Sequence, residues 1–259
     1  MLARFRDNAR HGCQHRGSRG FTLIELLVAI AVIALLIGIL LPSLGGARRA
    51  GWTVRCQANL RSLQVAQQLY ADQHRGHLVD VGLSHGGVGD ASLSWTRTLE
   101  SFCEGVLTLR CPADRSPYWP ADAGGQGLTM NGVSRASSYG MNNYLSRTYN
   151  PGLSPREPFD RLDKIDRPSL TVQFLIMAEQ GDYAVSDHPH VEGWGDGSRG
   201  PALAARQVQI DRHGGPPRAA ASVSNWGFLD THVETLPFKA VYAGREANAF
   251  DPLVARIAR

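Results

Sequence analysis

The residues best equipped for chemistry in this chain of 259 residues are histidines set beside carboxylates. They fall at His85, in "DHPH" (Asp187–His190), in "DRHGG" (Asp211–Gly215) and in "DTH" (Asp230–His232). Such groups could hold a metal ion and activate water, the chemistry of a metal hydrolase. Their spacing argues against it. None repeats on one helical face as a zinc motif requires, and Pro189 blocks a helix across His188 and His190. They read as loop and surface histidines, and the sequence assigns no metal ligand, no cofactor and no catalytic residue. A serine nucleophile fares no better: "GDGSRG" at 195–200 lacks the strand-to-helix setting of a nucleophile elbow. The runs "HGGVGD" and "DAGGQG" do not open an apolar helix, so they make poor phosphate cradles. "EGWGDGSRG" could offer Glu192 and Asp196 to calcium, but its spacing is not that of an EF-hand and a solvated turn is the simpler reading.

Four cysteines, Cys13, Cys56, Cys103 and Cys111, are too few and too scattered for a disulfide scaffold, and no Cys-x-x-Cys pair suggests structural zinc. If the body of the chain lies outside the cytoplasm, Cys103 and Cys111 could pair locally, or Cys56 with Cys111. The alternative is unpaired buried thiols.

One carboxylate stands out from all of these by its setting. Glu25 lies near the start of "SRGFTLIELLVAIAVIALLIGILLPSL", where every residue from Leu26 to Leu41 is apolar or glycine. Phe21–Leu41 as a helix would span about 31 Å, enough for a hydrocarbon core of about 30 Å. Residues 1–20 hold five arginines against Asp7, a net of +4 that equals the charge of the whole chain, so the remainder is neutral. A neutral body gives no footprint for nucleic acid. The arginine-rich flank should stay cytoplasmic and the rest face outward, because Arg48, Arg49 and Arg55 beyond the run are fewer and more spread out. A secretory signal would have a shorter apolar core and a small-residue cleavage site after it, which "PSLGGARRAG" does not supply.

A buried acid needs a partner. At the bilayer centre it costs about 2.5–3.5 kcal/mol, less near the interface. An opposite charge about 4 Å away returns about 4 kcal/mol at an effective dielectric of 20. A free amine at Phe21, made by a cut after Gly20, would lie one helical turn from Glu25, in the same chain or in a neighbouring copy. The chemistry therefore favours a cleaved, self-associating helix.

These residues, "RGFTLIELLVAIAVIALLIGILLPSL", resemble the N-terminus of type IV prepilins and type II secretion pseudopilins. The resemblance implies a prepilin peptidase that cuts after Gly20 and N-methylates Phe21, with Glu25 as the assembly acid and Pro42 as the helix-bending proline. It also implies other pilin or pseudopilin subunits as partners, the bacterial inner membrane as the site of insertion, and a structural rather than enzymatic role.

The elements that follow fit such a protein. Trp52, Cys56, Leu60, Leu63, Gln67 and Tyr70 recur at helical spacing, with Arg55, Gln57, Arg61 and Gln68 mostly off that face. One helix is expected from about Phe21 to Asp72, bent near Pro42 and the Gly45–Gly46 pair. Strands are expected at His77–Val81, Val106–Arg110, Leu170–Ala178, Ser224–Asp230 and His232–Pro237. Long loops separate them at Gly82–Asp90, Pro112–Gly132, Tyr149–Pro158 and Gln180–Pro201, and Ala240–Arg259 could add a short helix. The expected fold is α+β and pilin-like: one long N-terminal helix on a small antiparallel sheet with long loops. The expected organisation is a cleaved leader at 1–20, a membrane and filament-core helix at 21–42, its amphipathic continuation at 43–75 and an extracytoplasmic domain at 76–259. The alternative is a membrane-anchored ligand-binding or metal-dependent hydrolase domain that borrows a prepilin export signal.

"CQANLRSLQVAQQLYADQHRG", "LRCPAD", "SSYGMNNYL" and "IDRPSLTVQFLIMAE" are similar to segments of a planctomycete prepilin-like group that ends in an H-X9-DG motif. Here sixteen residues separate His213 from Asp230, and Thr231 stands in place of the motif's glycine. An Asp-Gly pair would suit a type I′ turn, which a β-branched threonine disfavours. A hairpin is still expected around "WGFLDTHVETL", with a different turn or a longer loop.

Overall fold

The structure is a computed structural model that describes residues 21–83, 94–103, 107–147 and 158–258. The chain divides into two compact units, residues through Ala47 and residues from Arg48 onward. Helix α1, Leu23–Gln73, contributes to both. In the first unit its apolar side chains are exposed, Leu23, Ile24, Leu35 and Ile39 among them. This stretch is long and apolar enough to cross a membrane.

In the second unit α1 buries Cys56, Asn59, Leu60, Leu63, Gln64, Ala66, Gln67, Tyr70 and Ala71. The face expected from spacing is therefore buried, except that Trp52 is half-buried under the guanidinium of Arg48, 5.0 Å from its ring centre. The face packs on a four-stranded antiparallel sheet of order β1-β2-β3-β4. Its strands are β1 Tyr139–Met141, β2 Val172–Ile176, β3 Val223–Phe228 and β4 Val233–Pro237. One core, between α1 and the sheet, gathers Leu60, Leu63, Trp95, Tyr139, Phe174 and Ile176. A second, on the other face, gathers Leu175, Trp194, Trp226, Phe228, Phe238 and Phe250. A register shift between Val172 and Phe174 sends these two residues to opposite cores despite their even spacing. Gly227 lies under the helix: a Cβ there would come within 2.6 Å of the Gln64 amide nitrogen, so a larger residue would have to displace the end of that side chain.

The remaining elements are short. Helix α2, Trp95–Glu100, buries Trp95 and Leu99 beside β2. Helix α3 is Gly200–Ala204. The C-terminal region resolves into α4, Phe238–Val241, and a two-stranded sheet of β5, Tyr242–Gly244, and β6, Ala247–Asn248. Of the segment Ala240–Arg259, only Ala240 and Val241 are helical, at the end of α4; the described remainder forms β5, β6 and turns.

Two expected strands are corrected. His77–Val81 makes only an isolated bridge, His77 to Arg161, built from Leu78 N–H to the Asp160 carbonyl (2.8 Å) and Leu162 N–H to the Gly76 carbonyl (2.9 Å); the pairing goes no further, and Val79 N–H turns instead to the Gln67 side chain (3.2 Å). Of Val106–Arg110, residue 106 lies outside the described residues, and 107–110 form no strand. Leu109 offers its carbonyl to Ser138 N–H just before β1, a strand that the sequence reading did not foresee. The loops Pro112–Gly132 and Gln180–Pro201 are irregular as expected, but they supply core residues: Trp119, Asp187, Val191 and Trp194 are all buried. Most of Gly82–Asp90 and Tyr149–Pro158 lies outside the described residues.

The loop at 112–132 is held by an ion pair with no solvent access. Arg135 and Asp114 are both fully buried at 2.9 Å. The remaining guanidinium donors reach the carbonyls of Ala178 (2.8 Å), Ala184 and Met177 (3.2 Å). Asp114 accepts further from the Ser138 hydroxyl and the Ser116 amide. Burial alone would raise the Asp114 carboxyl, but Arg135 and these donors outweigh it and hold it at about 2.

The expected hairpin joins β3 to β4, with Gly227 opposite Val233. Phe228 N–H donates to the His232 carbonyl (2.9 Å) and Thr231 N–H to the Phe228 carbonyl (3.0 Å), which encloses a three-residue loop rather than a two-residue type I′ turn. Thr231 takes the left-handed position at its end, with φ of +77°. A β-branched residue is strained there. Thr231→Gly is therefore expected to stabilise the unit by about 1 kcal/mol. A rise in the thermal midpoint checks this, and an unchanged or lowered midpoint contradicts it.

Candidate functional site

The N-terminal features are set by the first turn of α1. Gly20 lies outside the described residues, and Phe21 is exposed just ahead of the helix. Thr22 caps the helix. Its hydroxyl accepts from Glu25 N–H (3.2 Å), while the Glu25 carboxylate accepts from Thr22 N–H (2.9 Å) and from its hydroxyl (2.9 Å). This reciprocal pair is a capping box, and it satisfies two backbone donors that the helix start would leave bare. Sequence reasoning missed it although Thr-x-x-Glu is its signature. Pro42 lies inside α1, which continues as one helix on either side. Lacking an N–H, it leaves the Gly38 carbonyl without a helical donor.

In the globular unit the histidine–carboxylate groups serve structure. Asp187 is buried and accepts from Gly82 N–H (2.9 Å), from the Ser94 hydroxyl (3.1 Å) and at 2.9 Å from the His188 ring, tying a loop to the start of α2. Glu192 pairs with His190 (2.9 Å) and with the Asn143 amide (2.7 Å), whereas Asp196 accepts from Arg245 N–H (2.7 Å). The two acids considered for calcium are thus spent on separate partners. Asp230 pairs with His232, whose ring stacks on Phe228 at 4.3 Å. His85 lies outside the described residues.

The structure brings Cys56 beside Cys111, one of the pairings the sequence left open, and adds His213, which sequence reasoning had not joined to them. Cys56, Cys111 and His213 place two sulfurs and a ring nitrogen within 4.8 Å of one another. Cys56 comes from the buried face of α1. Cys111 is fixed by its N–H, which donates to the Ser138 hydroxyl (2.8 Å). His213 is held by its N–H to the Val223 carbonyl (2.9 Å), at the entry to β3. Its Nδ1 meets the Thr53 hydroxyl at 3.1 Å, and its Nε2 is buried with no hydrogen-bond partner. The Tyr139 hydroxyl donates to the Cys56 sulfur (3.5 Å) and accepts from Asn59 (3.1 Å). A hydrogen bond from Cys56 pulls the Cys111 thiol down against the cost of burial, helped by His213 and Arg212, while the same bond and burial push Cys56 up. All three described cysteines are free thiols. Cys56 is the cysteine beside Cys111; Cys103 is half-buried near Phe102 and outside this set.

Comparison with known proteins bears on the helix. Residues 15–41 match the model of the prokaryotic N-terminal methylation motif. The major component of the type IV wide pilus of Thermus thermophilus is 42% identical over 55 residues, 21% of this chain and 42% of that protein. The type II secretion system protein I of Xanthomonas campestris pv. campestris is 33% identical over 99 residues, 38% of this chain and 70% of that protein. No solved structure matches. A motif on the apolar helix, a pilus component and a secretion-system protein of which 70% is covered converge on one conclusion: the chain belongs to the prepilin/pseudopilin family.

Proposed function

We propose that the chain is a structural subunit, a pilin or pseudopilin, of a type IV pilus-like or type II secretion filament. The observation that carries this reading is the exposed apolar helix with Glu25 in its first turn, placed inside the methylation motif. A prepilin peptidase cuts after Gly20 and methylates Phe21. Residues 21–42 leave the inner membrane to pack with other subunits, residues 43–75 continue the helix, and the domain at 76–259 is carried outside the cytoplasm. Nothing in this role calls for an active site. The hydrolase alternative draws no support from the histidines of 187–190 and 230–232, since each is bonded to a neighbouring carboxylate.

The test is the mature N-terminus. Co-expressed with an active prepilin peptidase, the chain should begin at Phe21 and carry one extra methyl group, read by intact-mass and peptide spectrometry. A chain that keeps residues upstream of Phe21 under those conditions refutes the processing and, with it, this reading.

A further inference from the structure

We propose that Cys56, Cys111 and His213 form a binding site for a thiophilic divalent cation of the Zn²⁺ type, which clips α1 to the sheet. The three come from segments far apart in the sequence, yet their donor atoms converge within 4.8 Å in the globular unit. In a tetrahedral zinc site with Zn–S of about 2.3 Å and Zn–N of about 2.0 Å, neighbouring donors stand about 3.5–3.8 Å apart. Closing the present separation takes side-chain adjustments of at most about 1 Å, within reach of χ rotation.

The surroundings suit a cation better than two idle thiols. His213 has one nitrogen engaged by Thr53 and the other buried with no partner, the division seen when an outer hydrogen bond orients a metal-binding imidazole. Tyr139 gives a hydroxyl to the Cys56 sulfur, a donor that supports a thiolate. Charge also balances. The cation with two thiolates and a neutral imidazole is neutral, so burial is not penalised as it would be for a lone ion. Binding releases the two thiol protons to solvent and transfers no electrons. His213, with Trp52, Thr53, Ala113 and Arg212, also lines a cavity of about 550 Å³, a route for the ion and for a water as fourth ligand. Within such a site α1, the segment before Pro112 and the entry to β3 are held by one centre.

The experiment uses the full chain, purified in detergent under reducing conditions and stripped with a chelator. Titrated with Zn²⁺ against a chromophoric competitor, it should bind one ion per chain and melt at a higher temperature when loaded. Co²⁺ should give a thiolate charge-transfer band and tetrahedral ligand-field bands. His213→Ala and Cys111→Ser should each weaken binding more than about 100-fold, beyond the effect of losing an outer-shell group. Cys103→Ser should bind as the parent does. The His213 variant changes a half-exposed side chain, so its fold can be verified by circular dichroism. Absence of one-to-one binding overturns the proposal, as does binding that survives His213→Ala. Isolation of the chain without reductant, with Cys56 and Cys111 joined in a disulfide and no metal present, overturns it equally.

Discussion

Arg135→Met is expected to cost the globular unit about 3–5 kcal/mol, because it leaves Asp114 ionised and unpaired in a site without solvent. At about 2–4 °C per kcal/mol for a domain of this size, the thermal midpoint should fall by about 6–20 °C. The loss is larger than for an exposed pair, which contributes at most about 1 kcal/mol, since no water can replace the guanidinium. Pairing the change with Asp114→Asn should restore part of the stability by removing the stranded charge. The same pair sets an acid limb. The folded Asp114 titrates at about 2, below an unfolded value of about 3.9. Its contribution is therefore present above pH ~4 and lost as the pH falls through ~2. It amounts to about 2–3 kcal/mol. Melting curves at neutral pH and near pH 3 check both points. A midpoint shift under about 2 °C for Arg135→Met would show that the pair is not what holds the 112–132 loop.

What could be read in the sequence depended on whether a signal was local. Helix α1 was legible because an apolar run and a face of Cys56, Leu60, Leu63, Gln67 and Tyr70 share one continuous segment. Strands β2, β3 and β4 were legible as aromatic and β-branched runs around a turn. Strand β1 was not: three residues, one of them glycine, carry no alternation, and all three are buried. His77–Val81 has strand composition, yet its pairing stops at one bridge to Arg161, and a glutamine side chain takes the Val79 N–H instead. The long loops were read as connections because glycine, proline and aspartate recur in them. The Arg135–Asp114 pair that turns one of them into core joins residues whose proximity no spacing rule reveals. Cys56 with Cys111 was one of two pairings the sequence left open, but the addition of His213 was hidden for the same reason: a set assembled from a helix, a loop and a strand entry leaves no motif. At the N-terminus the information was present but was weighed in one sense only. Glu25 was read as a charge in search of an amine, although Thr22 three residues earlier offers it a role as a helix cap.

Glu25→Gln separates those two roles and is expected to abolish most filament incorporation while leaving cleavage intact. Glutamine at the third helical position still completes a capping box, so the contact with Thr22 survives. The charge does not survive. A carboxylate about 4 Å from the Phe21 amine of a neighbouring subunit is worth about 4 kcal/mol at an effective dielectric of 20. At about 1.4 kcal/mol per tenfold, that corresponds to a loss of about 10³-fold in subunit association. Glu25→Ala removes cap and charge together and should be no better. Membrane insertion works in the opposite direction, because exchanging an acid for a neutral amide lowers the cost of entering lipid. A variant that is inserted and cleaved, but absent from filaments, has therefore lost the interchain pairing and nothing upstream of it. The measurement is the ratio of processed subunit in sheared filaments to that left in the membrane, for parent and both variants. If Glu25→Gln assembles as the parent does while Glu25→Ala fails, the carboxylate acts through the cap on its own helix. The amine at Phe21 would then have to find its counter-charge elsewhere.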